Sequence, residues 1–313
     1  MRKKLFITAT IALVCILIYI FSFIGKFPEF VIKERIISIL AIILVATCIA
    51  ICTLIFQTIT NNKILTPSII GLDSLYLLVQ SFLVFILTAT HVSVYDERIN
   101  FLTSVICMIA FGIVFYKILF KENRSIYHIL LLGLIFGTFF SSLSSFFGVL
   151  IDPDEFLVVQ GRMFASFNNV KIELLVLSYI LFIGIFIYML SYFKFLDILA
   201  LGKDISINLG LEYERLVKRF LIIIAVLISI STALVGPITF LGLLVANLSY
   251  ELFKTSKHSI LLIACTLVSI IALVGGTYLV ARVFAFNTTL SVVINFIGGI
   301  YFIYLVLKGN RLC

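Results

Sequence analysis

Ten apolar stretches divide this chain, at about 5–24, 36–60, 68–90, 99–120, 127–150, 174–193, 219–235, 238–253, 259–281 and 290–307. Crossing the roughly 30 Å of hydrocarbon in a bilayer takes about 20 residues of helix, and most of the stretches supply them. Lipid offers no water to unpaired backbone groups, so a run of this kind is forced into a helix, which pairs its own N–H and C=O groups. With 63% of its 313 residues hydrophobic and 12% charged, the chain lies outside the range of soluble globular domains. The expected fold class is all-α, a polytopic membrane protein with about ten transmembrane helices. The eighth stretch is short and follows Gly236-Pro237 closely, which points to a tilted pair or to a sharp turn buried in protein. Met1-Arg2-Lys3-Lys4 precedes an apolar run too long for a signal core, so 5–24 reads as the first spanning helix.

An even number of crossings puts both termini on one side, and basic loops stay in the cytoplasm. Loops on the side of the termini hold 16 of the 23 Lys and Arg residues, against 7 on the other side. Both termini are therefore expected in the cytoplasm, with the chain in the plasma membrane. The basicity reports topology and gives no reason to invoke nucleic acid.

The deepest break in the apolar pattern is 194–219, where Lys194, Asp197, Lys203, Asp204, Glu212, Glu214, Arg215, Lys218 and Arg219 crowd into one cytoplasmic segment. Asp204 is placed to cap a short helix, Ile205 and Leu209 share a face at i and i+4, and Gly210 can end the helix in a left-handed turn. A short amphipathic helix at a membrane surface suits a groove in a soluble partner; an ordinary connecting loop is the other reading. On the outer side, 151–173 opens with Asp152-Pro153-Asp154-Glu155 and fits either an interfacial helix or a solvated loop.

Enzyme chemistry has no foothold. There is no phosphate-binding loop, so nucleotide is not hydrolysed by this chain. His91, His128 and His258 are scattered, and Cys48 and Cys52, although at i and i+4, have no histidine or carboxylate beside them, so small packing residues are the better reading. An ion-driven carrier keeps ionisable groups deep in the membrane. Asp73 is the one candidate, and its place in the first turns of the third helix suggests a carboxylate favoured by the helix dipole and interfacial water. Gln57, Asn247 and Asn295 are neutral polar residues within helices, suited to interhelical hydrogen bonds or to lining a polar path. Thr66-Pro67 and Gly71 allow a tight cytoplasmic turn with close helix approach.

Four motifs in order give the chain its resemblance to the iron-chelate and cobalamin permease family of ABC importers. Arg35 stands at the start of the family's Arg-Leu-Pro-Arg, and Gln57, Pro67 and Ile70-Gly71 keep its later spacing. Leu199-Ala200-Leu201-Gly202, six residues and Leu209-Gly210 match the cytoplasmic coupling segment. Gly236, Ile238, Phe240, Gly242 and Leu243 match Gly-x-Ile-x-Phe-x-Gly-Leu. Val280-Ala281-Arg282, Gly298 and Phe302 match the approach to the last helix and that helix.

The resemblance implies one permease domain over 1–313 that dimerises with a copy or a paralogue. It implies an ABC ATPase subunit, carrying ATP and magnesium, bound through 194–219 at Leu199, Gly202, Asp204, Ile205, Leu209 and Gly210, with no cofactor in this chain. It further implies an extracellular substrate-binding lipoprotein docking on Arg35 and Arg282, and a translocation path past Gln57, Pro67 and Asn247. Ser38 replaces the second arginine of the first motif, Ala246-Asn247 replace Pro-His, and Asn287, Thr288 and Thr289 replace Glu-Leu-Pro. These departures resemble a ferric-siderophore subgroup of Gram-positive bacteria. The substrate expected is thus a ferric siderophore, with haem or cobalamin as alternatives inside the family and an ion-coupled carrier as the alternative outside it.

Overall fold

A computed structural model of the chain describes residues 1–22, 28–88, 96–119, 126–168, 170–285 and 288–309. His91, Asn287 and four of the basic residues counted above, Lys26, Lys121, Arg124 and Arg311, lie outside them. The regular structure among the described residues is helical: α1 (Arg2–Phe21), α2 (Pro28–Thr60), α3 (Leu72–Leu87), α4 (Glu97–Leu119), α5 (Ile126–Leu150), α6 (Pro153–Met163), α7 (Ile172–Leu190), α8 (Leu196–Leu199), α9 (Lys203–Asn208), α10 (Tyr213–Val235), α11 (Leu241–Phe253), α12 (His258–Arg282) and α13 (Leu290–Gly309). Each of the ten apolar stretches becomes one helix. Seven are long and apolar enough to cross a membrane, and α3, α11 and α13 are the shorter apolar ones. The chain is a multi-pass membrane protein.

Helix α2 is the axis of the fold. It packs on α10, α11 and α12, while α10 also meets α4 and α7. Ile42, Leu44, Leu54, Ile55 and Phe56 of α2 and Phe220 of α10 are fully buried. Helix α1 lies outside this group against α12, and α3 pairs with α5. With 33 residues, α2 is about 50 Å long at 1.5 Å per residue. Its start at Pro28, well before the expected 36, carries Glu29, Lys33 and Glu34. An apolarity count cannot see helical turns that stand in water, and the same reason moves the start of α10 from 219 back to Tyr213.

The outer segment forms α6, with the Asp152 carboxylate accepting from the Asp154 N–H as N-cap. Of the two sequence readings, a helix rather than a loop is what forms. Gly236-Pro237-Ile238 is a buried turn between α10 and α11, in keeping with the expected sharp connection.

The third helix does not begin level with the end of α2. After α2 ends at Thr60, the chain climbs back through an irregular stretch and one 3-10 turn, Pro67–Ile70, before α3 starts. Gly71 touches Gly137, about 16 Å along α5 from its inner end at 1.5 Å per residue. Asp73, expected in interfacial water, instead accepts a hydrogen bond at 3.1 Å from Thr232, roughly 20 Å along α10 beyond Arg219. That corrects the sequence reading: residue spacing shows how far Asp73 is from a helix start, but not how deep the helix starts.

The irregular backbone that follows α2 is held by protein groups. Gln57 Nε2 (2.7 Å) and Asn247 Nδ2 (2.9 Å) both donate to the Lys63 carbonyl. Asn62 Oδ1 accepts from the Ile64 N–H at 2.9 Å, and Asn61 takes a left-handed φ of 49° as α2 ends.

Candidate functional site

The polar segment 194–219 resolves into three parts. Leu196 and Leu199 of α8 are buried in the core and anchor the segment. The buried Ser206 hydroxyl lies 3.0 Å from the Ile198 carbonyl and 2.6 Å from that of Gly202, which pins α9 to α8. Glu214, Arg215, Lys218 and Arg219 belong to the first turns of α10.

Helix α9 leaves Leu201, Ile205, Ile207 and Leu209 between 47% and 59% exposed. Ile205 and Leu209 do share a face, and Gly210 closes the helix at φ 83° with its N–H on the Ile207 carbonyl. The Leu211 N–H reaches back to Ser206, so two terminal carbonyls are satisfied by the glycine turn. Asp204 is not the cap: Gly202 holds that position at φ 95°, and Asp204 lies exposed in the first turn, where its charge still favours the helix dipole. The reason is backbone geometry, since a φ of this kind is open to glycine and costly for aspartate. Lys203 and Glu214 pair at 3.8 Å, and Arg215 pairs with Glu212. The result is an apolar knob ringed by charge, a form suited to a protein groove.

Asp197 sits on α8 with most of its side chain in water, yet its Oδ1 accepts from the His258 backbone N–H at 2.9 Å and contacts the ring Nδ1 at 2.7 Å. Partial burial pushes the carboxyl up, but the hydrogen bonds from His258, with the charges of His258 and Lys257, outweigh it and hold the group below the usual carboxylate range.

Gln57 and Asn247 meet at the Lys63 carbonyl on the stretch 61–71, whereas Pro67 opens the 3-10 turn of that stretch and lines a separate small pocket with Thr53, Asp73 and Gly236. Gln57 is 2% exposed, Pro67 is buried and Asn247 is half-buried. Next to them a cavity of about 460 Å³ is lined by Gln57, Asn61, Lys63, Tyr250, Lys254 and His258. Asn295 accepts from the Phe240 N–H at 3.4 Å, an interhelical contact.

Arg35 and Arg282, expected on the outer side, line one cavity of about 430 Å³ with Glu34, Phe30 and Tyr278. Arg35 also works within the fold. Its Nη1 donates to the carbonyls of Tyr19, Ile20 and Ser22 at 2.6–2.9 Å, closing the end of α1, and its guanidinium lies 5.9 Å from the centre of the Tyr19 ring. Ser38 is buried and donates to Phe167 O at 2.9 Å, so nothing at that position reaches outward as an arginine would.

A polar network escaped the sequence reading altogether. Arg162 of α6 donates to Gln80 Oε1 at 2.6 Å, and Gln80 Nε2 donates to Asn100 Oδ1 (3.1 Å) and Ser104 Oγ (2.8 Å) on α4. Its members are up to 82 positions apart, and no local pattern announces them.

A protein-family profile described as the FecCD transport family matches residues 4–308. The petrobactin import system permease protein YclO of Bacillus subtilis (strain 168) is 52% identical over 311 residues, covering 99% of this chain and 98% of its own length. The petrobactin import system permease protein FatC of Bacillus anthracis is 36% identical over 290 residues, covering 91% of this chain and 81% of its own. Among solved structures, a chain described as an inward-facing metal-chelate type ABC transporter superposes with a TM-score of 0.83 over 98% of this chain and 99% of its own, at 22% identity. That last likeness concerns the fold alone.

Proposed function

Because the chain belongs to the FecCD transport family, we propose that it is the permease subunit of an ATP-driven importer that brings a ferric siderophore of the petrobactin type into the cytoplasm. The observation that carries the substrate is the 52% identity, over almost the whole of both chains, to a petrobactin import permease. The apolar knob of α9 supports the coupling half of the reading, since it offers a separate ATPase subunit a surface of the right size and place. In this reading the permease forms a dimer with a copy or a paralogue, both termini are cytoplasmic, and nucleotide and magnesium sit on the partner. A membrane-anchored binding protein docks over the outer cavity, where Arg282 and the part of Arg35 not engaged with α1 meet its carboxylates; aligned charge pairs of this sort fix orientation and encounter rate more than affinity. ATP binding moves α8 and α9, and the two permeases rock to expose the path inward.

Uptake of iron-55 tests this. A strain lacking the gene is expected to lose at least about tenfold of its uptake of ferric petrobactin against an isogenic parent, an effect worth about 1.4 kcal/mol per decade, and to regain it on complementation. Unchanged petrobactin uptake together with lost uptake of haem or cobalamin would move the substrate within the family.

The depth of Asp73 supports a second reading, an ion-coupled carrier, because a carboxylate inside the membrane is costly without a function. Its hydrogen bond from Thr232 supplies a structural reason instead. Asp73→Asn keeps an acceptor for that bond, so uptake is expected to stay within about twofold, whereas a carrier relying on a proton at this site would lose it. Loss of uptake in a folded Asp73→Asn protein would favour the carrier.

A further inference from the structure

His258 occupies a junction. It opens α12, is 3% exposed, and uses both ring nitrogens and its backbone N–H on two other elements. On one side Asp197 Oδ1, on α8, takes the backbone N–H at 2.9 Å and faces Nδ1 at 2.7 Å. An ionised carboxylate only accepts, so Nδ1 carries a proton. On the other side Nε2 lies 2.7 Å from the Thr58 hydroxyl, near the end of α2. That hydroxyl is also 2.7 Å from the Leu54 carbonyl. With Nε2 bare the hydroxyl turns to it; with Nε2 protonated the hydroxyl accepts from the ring and keeps its bond to Leu54. The contact from Asp197 through the imidazole to α2 therefore survives in either state of the ring.

Beyond Thr58 the same line continues. Gln57, its neighbour, donates to the Lys63 carbonyl, and Asn247 of α11 donates to the same oxygen. Lys63 is part of the irregular stretch that leads from the end of α2 to the start of α3, where Gly71 meets Gly137 of α5. A polar line therefore runs from the segment carrying the exposed knob to the Lys63 carbonyl, at the start of the irregular stretch that joins α2 to α3. Helices flanking that stretch can slide only against close-packed neighbours, whereas the stretch is held by a few side-chain hydrogen bonds.

We infer that Asp197, His258 and Thr58 are positioning residues for transport: they carry displacement of the α8–α9 segment to the end of α2 and the re-entrant stretch 61–71, so that ATP turnover and substrate passage stay in step. This rests on the reading of the chain as an ABC permease and adds to it a route through named side chains. None of the three is assigned to touch the substrate.

The test uses the whole importer, permease with its ATPase and binding protein, in proteoliposomes, and reads ferric petrobactin transported per ATP hydrolysed. Asp197→Ala removes the acceptor on a side chain that is 56% exposed, so it leaves no buried void. Thr58→Val removes the hydroxyl at nearly constant volume. Each is expected to lower the transport-to-ATP ratio at least about threefold while ATP hydrolysis stays above about half of wild type, since only one link and no nucleotide contact is lost. Asp197→Asn, which keeps the acceptor, is expected to restore most of the ratio. The double variant Asp197→Ala/Thr58→Val is expected to be no worse than the poorer single one, as for two breaks in one line. A ratio within about twofold of wild type, a parallel fall of transport and hydrolysis, or multiplying effects in the double variant would each overturn the inference. A wild-type importer that moves no ferric petrobactin indicts the substrate reading instead, and the same ratios are then taken with the chelate that the uptake panel selects.

Discussion

Replacing Leu209 with aspartate is expected to abolish ATP-dependent uptake while the permease itself stays folded. Leu209 is 59% exposed at the end of α9, and only its backbone is used locally, its N–H donating to the Ile205 carbonyl at 3.0 Å. Substitution at such a position changes the stability of the free protein by no more than about 0.5 kcal/mol. In the importer proposed above the same side chain would enter a groove of the ATPase, and a carboxylate left there without a partner costs about 3 kcal/mol or more. At 1.4 kcal/mol per decade, that weakens the subunit contact about a hundredfold. The expected result is a monodisperse permease with wild-type thermal inactivation in detergent, no co-purifying ATPase, and iron uptake at the level of the deletion strain. Asp204→Arg, which reverses a charge in the first turn of the same helix, is expected to act in the same direction. Leu209→Asp protein that retained both the ATPase and transport would remove α9 from the coupling surface.

Gly71→Val is expected to be the most damaging single change to folding. Gly71 has φ 86°, and a Cβ there would lie 2.7 Å from the Cα of Gly137 and 2.8 Å from its nitrogen. The left-handed backbone costs an L-residue about 1–2 kcal/mol, and forcing α3 from α5 adds about 1–3 kcal/mol of overpacking. Because the obstruction is backbone on both sides, no rotamer relieves it. Gly137→Ala meets its nearest neighbour at 3.2 Å in a helical conformation, so its effect should be clearly smaller. The fraction of monodisperse protein left after graded heating measures both, and an order with Gly137→Ala as the worse variant would contradict the close approach.

How much of this was readable in advance differs by kind of residue. Leu199-Ala200-Leu201-Gly202 and Leu209-Gly210 were legible because a charged, glycine-bounded segment between apolar runs can only lie in water, and the left-handed turn at Gly210 followed from the residue type. Arg35 was legible as an arginine expected on the outer side, but not as the group that closes α1, since its partners are 13 to 16 positions away and are carbonyls that every residue carries. Gln57 and Asn247 were legible as polar residues inside helices. Their shared bond partner, the Lys63 carbonyl, was not, because one of the two lies 184 positions from it. His258 read only as a solitary histidine near a membrane edge. Its role depends on Asp197 and Thr58, 61 and 200 positions away.

The sequence by itself determined the class of fold, the ten apolar helices and the place of the charged segment 194–219 between two of them, and it supports an expectation of sidedness. Lipid leaves an unpaired backbone no alternative to the helix, so apolar length and charge distribution suffice for these. The tertiary structure alone decided where along its neighbours each helix begins, that α3 starts beside Gly137 near the middle of α5 and that Asp73 meets Thr232. It also decided which polar side chains converge on one backbone oxygen. Lipid tails and helix faces are equally apolar, so composition says nothing about which helices touch; small residues that admit close contact, and hydrogen bonds between residues far apart in the chain, settle it.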